Sequence, residues 1–305
     1  MSGVRPRSQF VTDAYRTPEE RFEGLPGFPY EPHYREWEGL RLAHIDEGDG
    51  RPVVFFHGEP TWSYLWRNVI PPVLEAGFRC IAPDLPGFGR SDKPTDLGWY
   101  TYDRHVDSCA ALVEELDLQD AVAVVHDWGG PIGLRLATEH ADRFSAMVVM
   151  DTGVFTGHQE MSDAWKVFRD FVERTEDLPI SMLVSGGTAR GMEDEVVAAY
   201  DAPFPVPESK AGARAFPLLI PTSPEMPGAA EGQRVLSDLA ADGRPKILLW
   251  ADSDPIIPPK VGARFAERIN ADPPEVIENA SHFLQEDAGE EIGTRIARWL
   301  SAAEA

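Results

Sequence analysis

Basic residues are scarce in this 305-residue chain: 28 Lys plus Arg stand against 51 Asp plus Glu, a formal net charge of −23. So acidic a surface disfavours nucleic acid and anionic membranes as partners and favours solubility, although a saline habitat leaves the same mark. Cysteine is nearly absent. Its two copies, Cys80 in an apolar strand-like run and Cys109 on the apolar stripe of a helix, read as small buried hydrophobes and not as a bridge, which suits a reduced compartment. Also missing is any uninterrupted apolar stretch long enough to span a bilayer. Met1 to Thr12 carries basic residues without the apolar core of a signal peptide. Internal repeats and low-complexity tracts are lacking too. The expectation is a soluble cytoplasmic protein, its oligomeric state open between a monomer and a weak homo-oligomer. With 43% hydrophobic residues the chain can bury a large core, and its length suits one α/β unit with an inserted lobe.

What is present is organised around Val122 to Pro131. A β-branched apolar run, Val122-Ala123-Val124-Val125, ends at His126-Asp127-Trp128-Gly129-Gly130 and passes into the amphipathic Ile132, Leu134, Leu136 and Ala137. Strand, sharp turn and helix therefore follow without a break. This is the pattern of a nucleophile elbow, where hydrolases usually place Ser within G-x-S-x-G; here the slot holds Asp127. Asp before a helix is also a common N-cap, and for Asp127 taken alone that reading weighs as much. The Gly129-Gly130 pair, which lets strand and helix approach closely, and partners elsewhere in the chain favour the nucleophile.

Along the chain, Met1 to Tyr30 is polar, Pro-rich and aperiodic, as expected of a surface wrap. Two short extended runs around Glu38-Gly39 within His33 to Ile45 suggest an opening hairpin. Pro52 to Phe56 is a buried strand that runs into His57-Gly58-Glu59-Pro60, and open α/β sheets place ligands at such strand ends; the glycine also serves simply to turn the chain. Arg79 to Pro83 is the next strand, followed by the tight loop Asp84 to Asp92. Tyr102, Val106, Cys109, Val113 and Leu116 fall at helical spacing, Ala121 to His126 is the elbow strand, and Ser145 to Asp151 another. Strand and helix alternate, so the fold class is α/β with a mostly parallel, doubly wound sheet. That rhythm stops between about Thr152 and Gly232, where helical segments (Trp165 to Glu173, Glu193 to Tyr200) are broken by seven prolines from Pro203 to Pro227. Residues 153–232 are expected to form a helical cap inserted into a core of residues 1–152 and 233–305. The core resumes at Lys246 to Ala251, with a helix over Lys260 to Ile269, a short strand at Glu275 to Glu278 and a last helix over Glu286 to Leu300.

Two later loops complete a constellation. Asp252-Ser253-Asp254-Pro255 follows the strand ending at Trp250, and Ser281-His282-Phe283 follows the run Val276 to Glu278. Asp127, Asp254 and His282 thus lie at carboxyl ends of strands in the order nucleophile, acid, histidine, which is the α/β-hydrolase order. A single His after a strand is more often structural; its register with the elbow and the acid loop is what favours function.

From about His33 onwards the chain resembles the haloalkane dehalogenases of the α/β-hydrolase superfamily. The motifs that carry the resemblance are His57-Gly58-Glu59-Pro60-Thr61-Trp62, Asp84 to Asp92, His126-Asp127-Trp128-Gly129-Gly130, Ala202-Pro203-Phe204-Pro205 and Ser281-His282-Phe283. Several are shared with epoxide hydrolases, and the Asp-Trp pair is the most discriminating. The resemblance implies that Asp127 displaces halide from an sp³ carbon to form an alkyl ester, that His282 activates the water that hydrolyses it, and that an acid orients the imidazole. It implies an oxyanion hole from the backbone N–H groups of Glu59 and Trp128, halide donors at Trp128 and Trp165, apolar pocket positions at Phe216 and Pro217, and no metal or organic cofactor. Trp165 follows because the loop position where one branch carries Asn is Glu59; a cap Trp by itself is more often core. Both acid positions of the family are acidic here, Asp254 and Asp151. Asp254 is favoured because its loop matches the hydrolase acid loop and because Trp165 selects the same branch.

Rival functions separate on single residues. Epoxide hydrolase, the alternative, needs two cap tyrosines to protonate the epoxide oxygen, and residues 153–232 contain only Tyr200. Fluoroacetate dehalogenase needs arginines beside the elbow, where Trp128-Gly129-Gly130 supplies none. Serine esterase is excluded by Asp127 itself. A non-catalytic receptor on a hydrolase fold is allowed by the general independence of fold and function, but every reacting group is retained.

Overall fold

The computed structural model describes residues 13–304. Its centre is an eight-stranded sheet in the order β10-β9-β8-β7-β4-β5-β3-β2. The expected hairpin is β2 (His33–Trp37) and β3 (Leu40–Glu47), antiparallel to each other, and β3 runs antiparallel to β5 (Arg79–Pro83). From β5 the sheet is parallel through β4 (Pro52–Phe56), β7 (Ala121–His126), β8 (Phe144–Met150), β9 (Lys246–Ala251) and β10 (Glu275–Ile277). The central strands are apolar along their whole length because both faces are covered: all six residues of β7 are buried. Helix α1 (Ile70–Glu75) packs on α10 (Leu284–Glu304), while α2 (Tyr102–Glu115) and α8 (Ala229–Ala241) flank α3 (Gly129–Glu139); α9 (Pro259–Arg268) lies against β9. Cys80 and Cys109 are free and buried. No helix among the described residues is long and apolar enough to cross a membrane.

Between β8 and β9 the chain is helical, with α4 (Asp163–Arg174), α5 (Ile180–Gly186), α6 (Asp194–Asp201), α7 (Ala211–Leu219) and α8. The periodicity had indicated only α4 and α6. Short length and internal Pro217 hid α5 and α7, and α1, with two prolines in its first turn, was hidden in the same way. The N-terminal segment does more than wrap the surface. Residues Ala14–Tyr15 form a short strand, β1, paired with β6 (Lys93–Pro94), Phe22 is buried in the main core, and Thr17 Oγ1 donates to the Pro203 carbonyl at 2.7 Å. Residues Met1 to Thr12 of that expectation lie outside the described residues.

The glycine pair after the elbow is a steric requirement of the sheet. A Cβ on Gly129 would lie 2.0 Å from the Phe56 carbonyl oxygen, and one on Gly130 would lie 1.9 Å from Thr152 Oγ1. Helix α3 can approach β4 and β8 only with both Cβ atoms absent. Gly129→Ala should therefore destabilise the fold by about 1–3 kcal/mol or more, the range of overpacking. The expected result is a lower urea midpoint at unchanged denaturant dependence; an unaltered midpoint would show that the helix can shift freely.

Candidate active site

Register brings the chemistry to one edge. Phe56 pairs with Val125, His126 with Met150, and Ala251 with Ile277, so the parallel strands end at one level and their following loops share one mouth. Asp127 is the residue after β7, Asp151 the residue after β8, Asp254 lies three beyond β9 and His282 follows β10. Asp127 sits at φ 48°, left-handed backbone that a non-glycine residue adopts at a cost in strain and that recurs at functional turns. Three neighbours hold it there. Its carbonyl accepts from Thr152 Oγ1 and from the Gly130 amide, and its Oδ1 accepts the Glu59 backbone N–H at 2.7 Å. The glycine loop after β4 is itself tied down, with His57 Nδ1 donating to the Gly58 carbonyl at 2.9 Å and Nε2 accepting from the Leu85 amide at 3.0 Å. The loop Asp84 to Asp92 has this supporting role: Asp84 accepts from the Ser63 and Arg90 amides, both at 2.8 Å.

The three expected residues meet. His282 Nδ1 donates to Asp254 Oδ2 at 2.8 Å, and Nε2 stands 3.4 Å from Asp127 Oδ2. Asp254 Oδ1 accepts the Ile256 and Ile257 amides at 2.7 and 2.9 Å, which pins the acid and aims its other oxygen at the imidazole. Burial opposes the charge of all three groups, yet mutual pairing prevails. Asp127 stays below the ordinary carboxylate range through the hydrogen bond and charge of His282 and the Trp128 amide. Asp254 is held down by His282 and its two amides. His282, between the two carboxylates, is raised well above the ordinary imidazole range. The opposite holds for Glu59, whose carboxyl is pushed well up by burial and by the Asp127 charge, leaving Oε1 without a protein partner.

Asp127 and His282 open onto a cavity of about 180 Å³. Asp127 keeps 17% of its side chain exposed, so the carboxylate is reachable from that space. Glu59 also lines it, and the rest of the walls are mainly apolar, with Phe155, Met161, Phe168, Leu183 and Ile220 among them beside Trp128 and Trp165. Both indole rings are buried, and neither Nε1 has an acceptor within the protein. Trp165 is placed by the start of α4: Ser162 Oγ accepts the Trp165 amide at 3.1 Å and donates to the Ile256 carbonyl at 3.1 Å, joining the helix to the acid loop. Pro217 lines the cavity. Phe216 is not in the lining: its ring is fully buried and stacks on Trp128 at 4.7 Å between centroids. The apolar pair Ile256-Ile257 also lines the cavity, and its only sign in the sequence is its place two and three residues after Asp254. Among the described residues, Asp151, Asp254 and His282 bring a ligand atom each within 4.8 Å of one another, and Asp254 Oδ2 and His282 Nδ1 are hydrogen-bonded to each other.

The sequence matches the α/β-hydrolase fold family over residues 51–289. A haloalkane dehalogenase of Mycobacterium marinum is 42% identical over 296 residues, covering 94% of this chain and 99% of the relative. One from Psychrobacter cryohalolentis is 38% identical over 93% and 97% of the two chains. Among solved structures, the tetrameric haloalkane dehalogenase DpaA of Paraglaciecola agarilytica superposes with a TM-score of 0.88 at 37% identity, over 93% of this chain and 97% of that one.

Because His282 owes its raised pKa partly to the Asp127 charge, removing that charge must lower it. In Asp127→Asn the imidazole should titrate at lower pH than in the parent, read from the ring proton resonances. An unchanged titration would mean that Asp254 alone sets the protonation of His282.

Proposed function

From the premise that this chain belongs to the haloalkane dehalogenases of the α/β-hydrolase family, we propose how its own residues cleave carbon–halogen bonds. The Asp127 carboxylate attacks the halogen-bearing carbon in line, forms an alkyl ester and expels halide. Esterification removes one of the two charges that raise His282, so its pKa falls and the imidazole becomes free to take a proton from water. That water attacks the ester carbonyl. The negative charge that develops on its oxygen is received by the backbone N–H groups of Glu59 and Trp128, and Asp254 stabilises the imidazolium. Alcohol, halide and a proton are the products.

The observation that supports this reading best is the pair of indole N–H groups without an internal acceptor in the apolar cavity that Asp127 faces. A departing halide has lost its water there, and an indole supplies a donor with no competing acceptor. We assign halide binding to Trp128 and Trp165, and the substrate to small halogenated aliphatic molecules, without a cofactor. Residues 153–232 act as the cap over a core of residues 1–152 and 233–305, and we place the protein in the cytoplasm, as a monomer or weak homo-oligomer. Epoxide hydrolysis is disfavoured because the Tyr200 hydroxyl donates to Glu286 and no tyrosine lines the cavity among the described residues. Halide release from short chloro-, bromo- and iodoalkanes, run beside diol formation from an epoxide, tests the class; diol without halide release would reverse it.

Two variants test the residue roles. His282→Ala should alkylate but not hydrolyse, so the protein treated with 1,2-dibromoethane should carry an alkyl group on the Asp127 peptide by mass spectrometry; steady turnover or a label elsewhere would refute the assignment. Trp165→Phe keeps most apolar volume while removing the N–H, and loss of one preorganised donor costs on the order of 10²–10³ in rate. Bromide-dependent quenching of tryptophan fluorescence should weaken with it. Trp62→Phe, in the aromatic core and away from the cavity lining, should retain most activity. Parent-like bromide release and binding by a stably folded Trp165→Phe would assign the second donor elsewhere.

A further inference from the structure

Asp151 is an acid that the mechanism above leaves unused, although it stands within reach of two groups that the mechanism needs. It is fully buried, at φ 34°, one residue beyond β8. Oδ1 accepts the Ala251 amide at 3.0 Å, while Oδ2 is buried and receives no N–H. One oxygen of Asp151, one of Asp254 and a ring nitrogen of His282 all lie within 4.8 Å of one another. Two carboxylates so close in a water-poor interior cannot both ionise without strong repulsion.

We propose that Asp151 is a positioning residue that stays protonated and donates its O–H to Asp254, so that the two acids present a single negative charge to His282. The division of the proton follows from the donors. Asp254 receives two backbone amides and the imidazole N–H, three donors that favour its charged form, whereas Asp151 receives one. Burial and the Asp254 charge accordingly push the Asp151 carboxyl well up. The remaining titratable neighbours leave this division unchanged. Asp127 lies across the imidazole and Glu59 beyond it, its carboxyl pushed well up by burial and the Asp127 charge. His126, whose Nε2 donates to the His282 carbonyl at 2.8 Å, is pushed by burial down to about 4 and is uncharged at neutral pH.

Held this way, Asp151 occupies an acceptor position of Asp254 that would otherwise be empty and fixes the acid's second side. It also stands in reserve. If position 254 became an amide, its oxygen would stay on the Ile256 and Ile257 amides and its NH₂ would meet His282 Nδ1, the wrong polarity for the required tautomer. Asp151, relieved of its like-charged neighbour, would then ionise and return a negative charge to the imidazole.

The proposal rests on Asp254 being the acid behind His282, and its test separates the two. In the infrared spectrum at neutral pH the parent should show the C=O stretch of buried protonated carboxyls, part of it lost in Asp151→Asn and part in Glu59→Gln. The Asp151→Asn amide can still donate to Asp254 and accept from Ala251, so ester hydrolysis should stay within about fivefold of the parent, one neutral hydrogen bond replacing another. Asp254→Asn should lose less than the roughly 10⁴ that an amide at the acid position costs where no second acid stands by, and adding Asp151→Asn should remove the remainder by at least tenfold. A protonated-carboxyl band that disappears in Asp254→Asn but persists in Asp151→Asn puts the proton on the other acid and overturns the proposal. Equal activities of Asp254→Asn and the double variant overturn it as well. Greater damage from Asp151→Asn than from Asp254→Asn would instead overturn the assignment of Asp254. If Asp151→Asn does not fold, Glu59→Gln still decides: a remaining band supports a proton shared within the Asp151–Asp254 pair, and loss of the whole band excludes a protonated Asp151 and overturns the proposal.

Discussion

The structure depends on keeping one carboxylate ionised where little water can reach it. Asp127 faces an apolar cavity, and burial by itself would drive it to take up a proton and lose its nucleophilicity. The Glu59 and Trp128 amides and the His282 imidazole offset that cost. Each of these partners comes from a different loop, so the sheet must bring the loops to one level before the charge can exist. The level ends of β4, β7, β8, β9 and β10 are therefore an electrostatic requirement as much as an architectural one.

Around this charge the acids divide into two kinds. Asp127 and Asp254 receive amides and an imidazole and remain anions; Glu59 and Asp151, buried beside them with fewer donors, are pushed towards the neutral acid. The number of donors that each buried carboxyl receives thus sets the direction in which burial and pairing move it.

The helices between β8 and β9 are joined to this site by specific contacts. Ser162 links the start of α4, and with it Trp165, to the acid loop. Asp287 accepts the amides of Ala189 and Arg190 between α5 and α6 and also the Ser281 amide beside His282. The Arg67–Glu286 ion pair, with the Tyr200 hydroxyl on the same carboxylate, ties α6 to α10. The helices over the cavity and the loop carrying the histidine are therefore one hydrogen-bonded body, which suits a reaction that must exclude bulk water while admitting one molecule of it.

Strong local signals made the core legible. Alternation of β-branched strands with amphipathic helices, the elbow around Asp127, and the order Asp127, Asp254, His282 identify the fold class and the three side chains that meet at the sheet edge, since each depends on neighbours in sequence and on strand ends that a parallel sheet must align. The helices α5 and α7 are not legible, because α5 is short and α7 carries Pro217 inside it. Nor could local pattern place Phe216: Pro217 beside it lines the cavity while Phe216 backs onto Trp128, a difference of one position on a helix whose orientation is set by its neighbours. Between Asp254 and Asp151, both acids after strands, the sequence favours Asp254 only through its resemblance to the hydrolase acid loop and the Trp165 branch. Tertiary structure distinguished them physically, by giving Asp254 the imidazole and two amides and Asp151 a single amide in a fully buried place. Residue type and order specify which groups can react; only the folded chain's distribution of hydrogen-bond donors decides which of them carry charge.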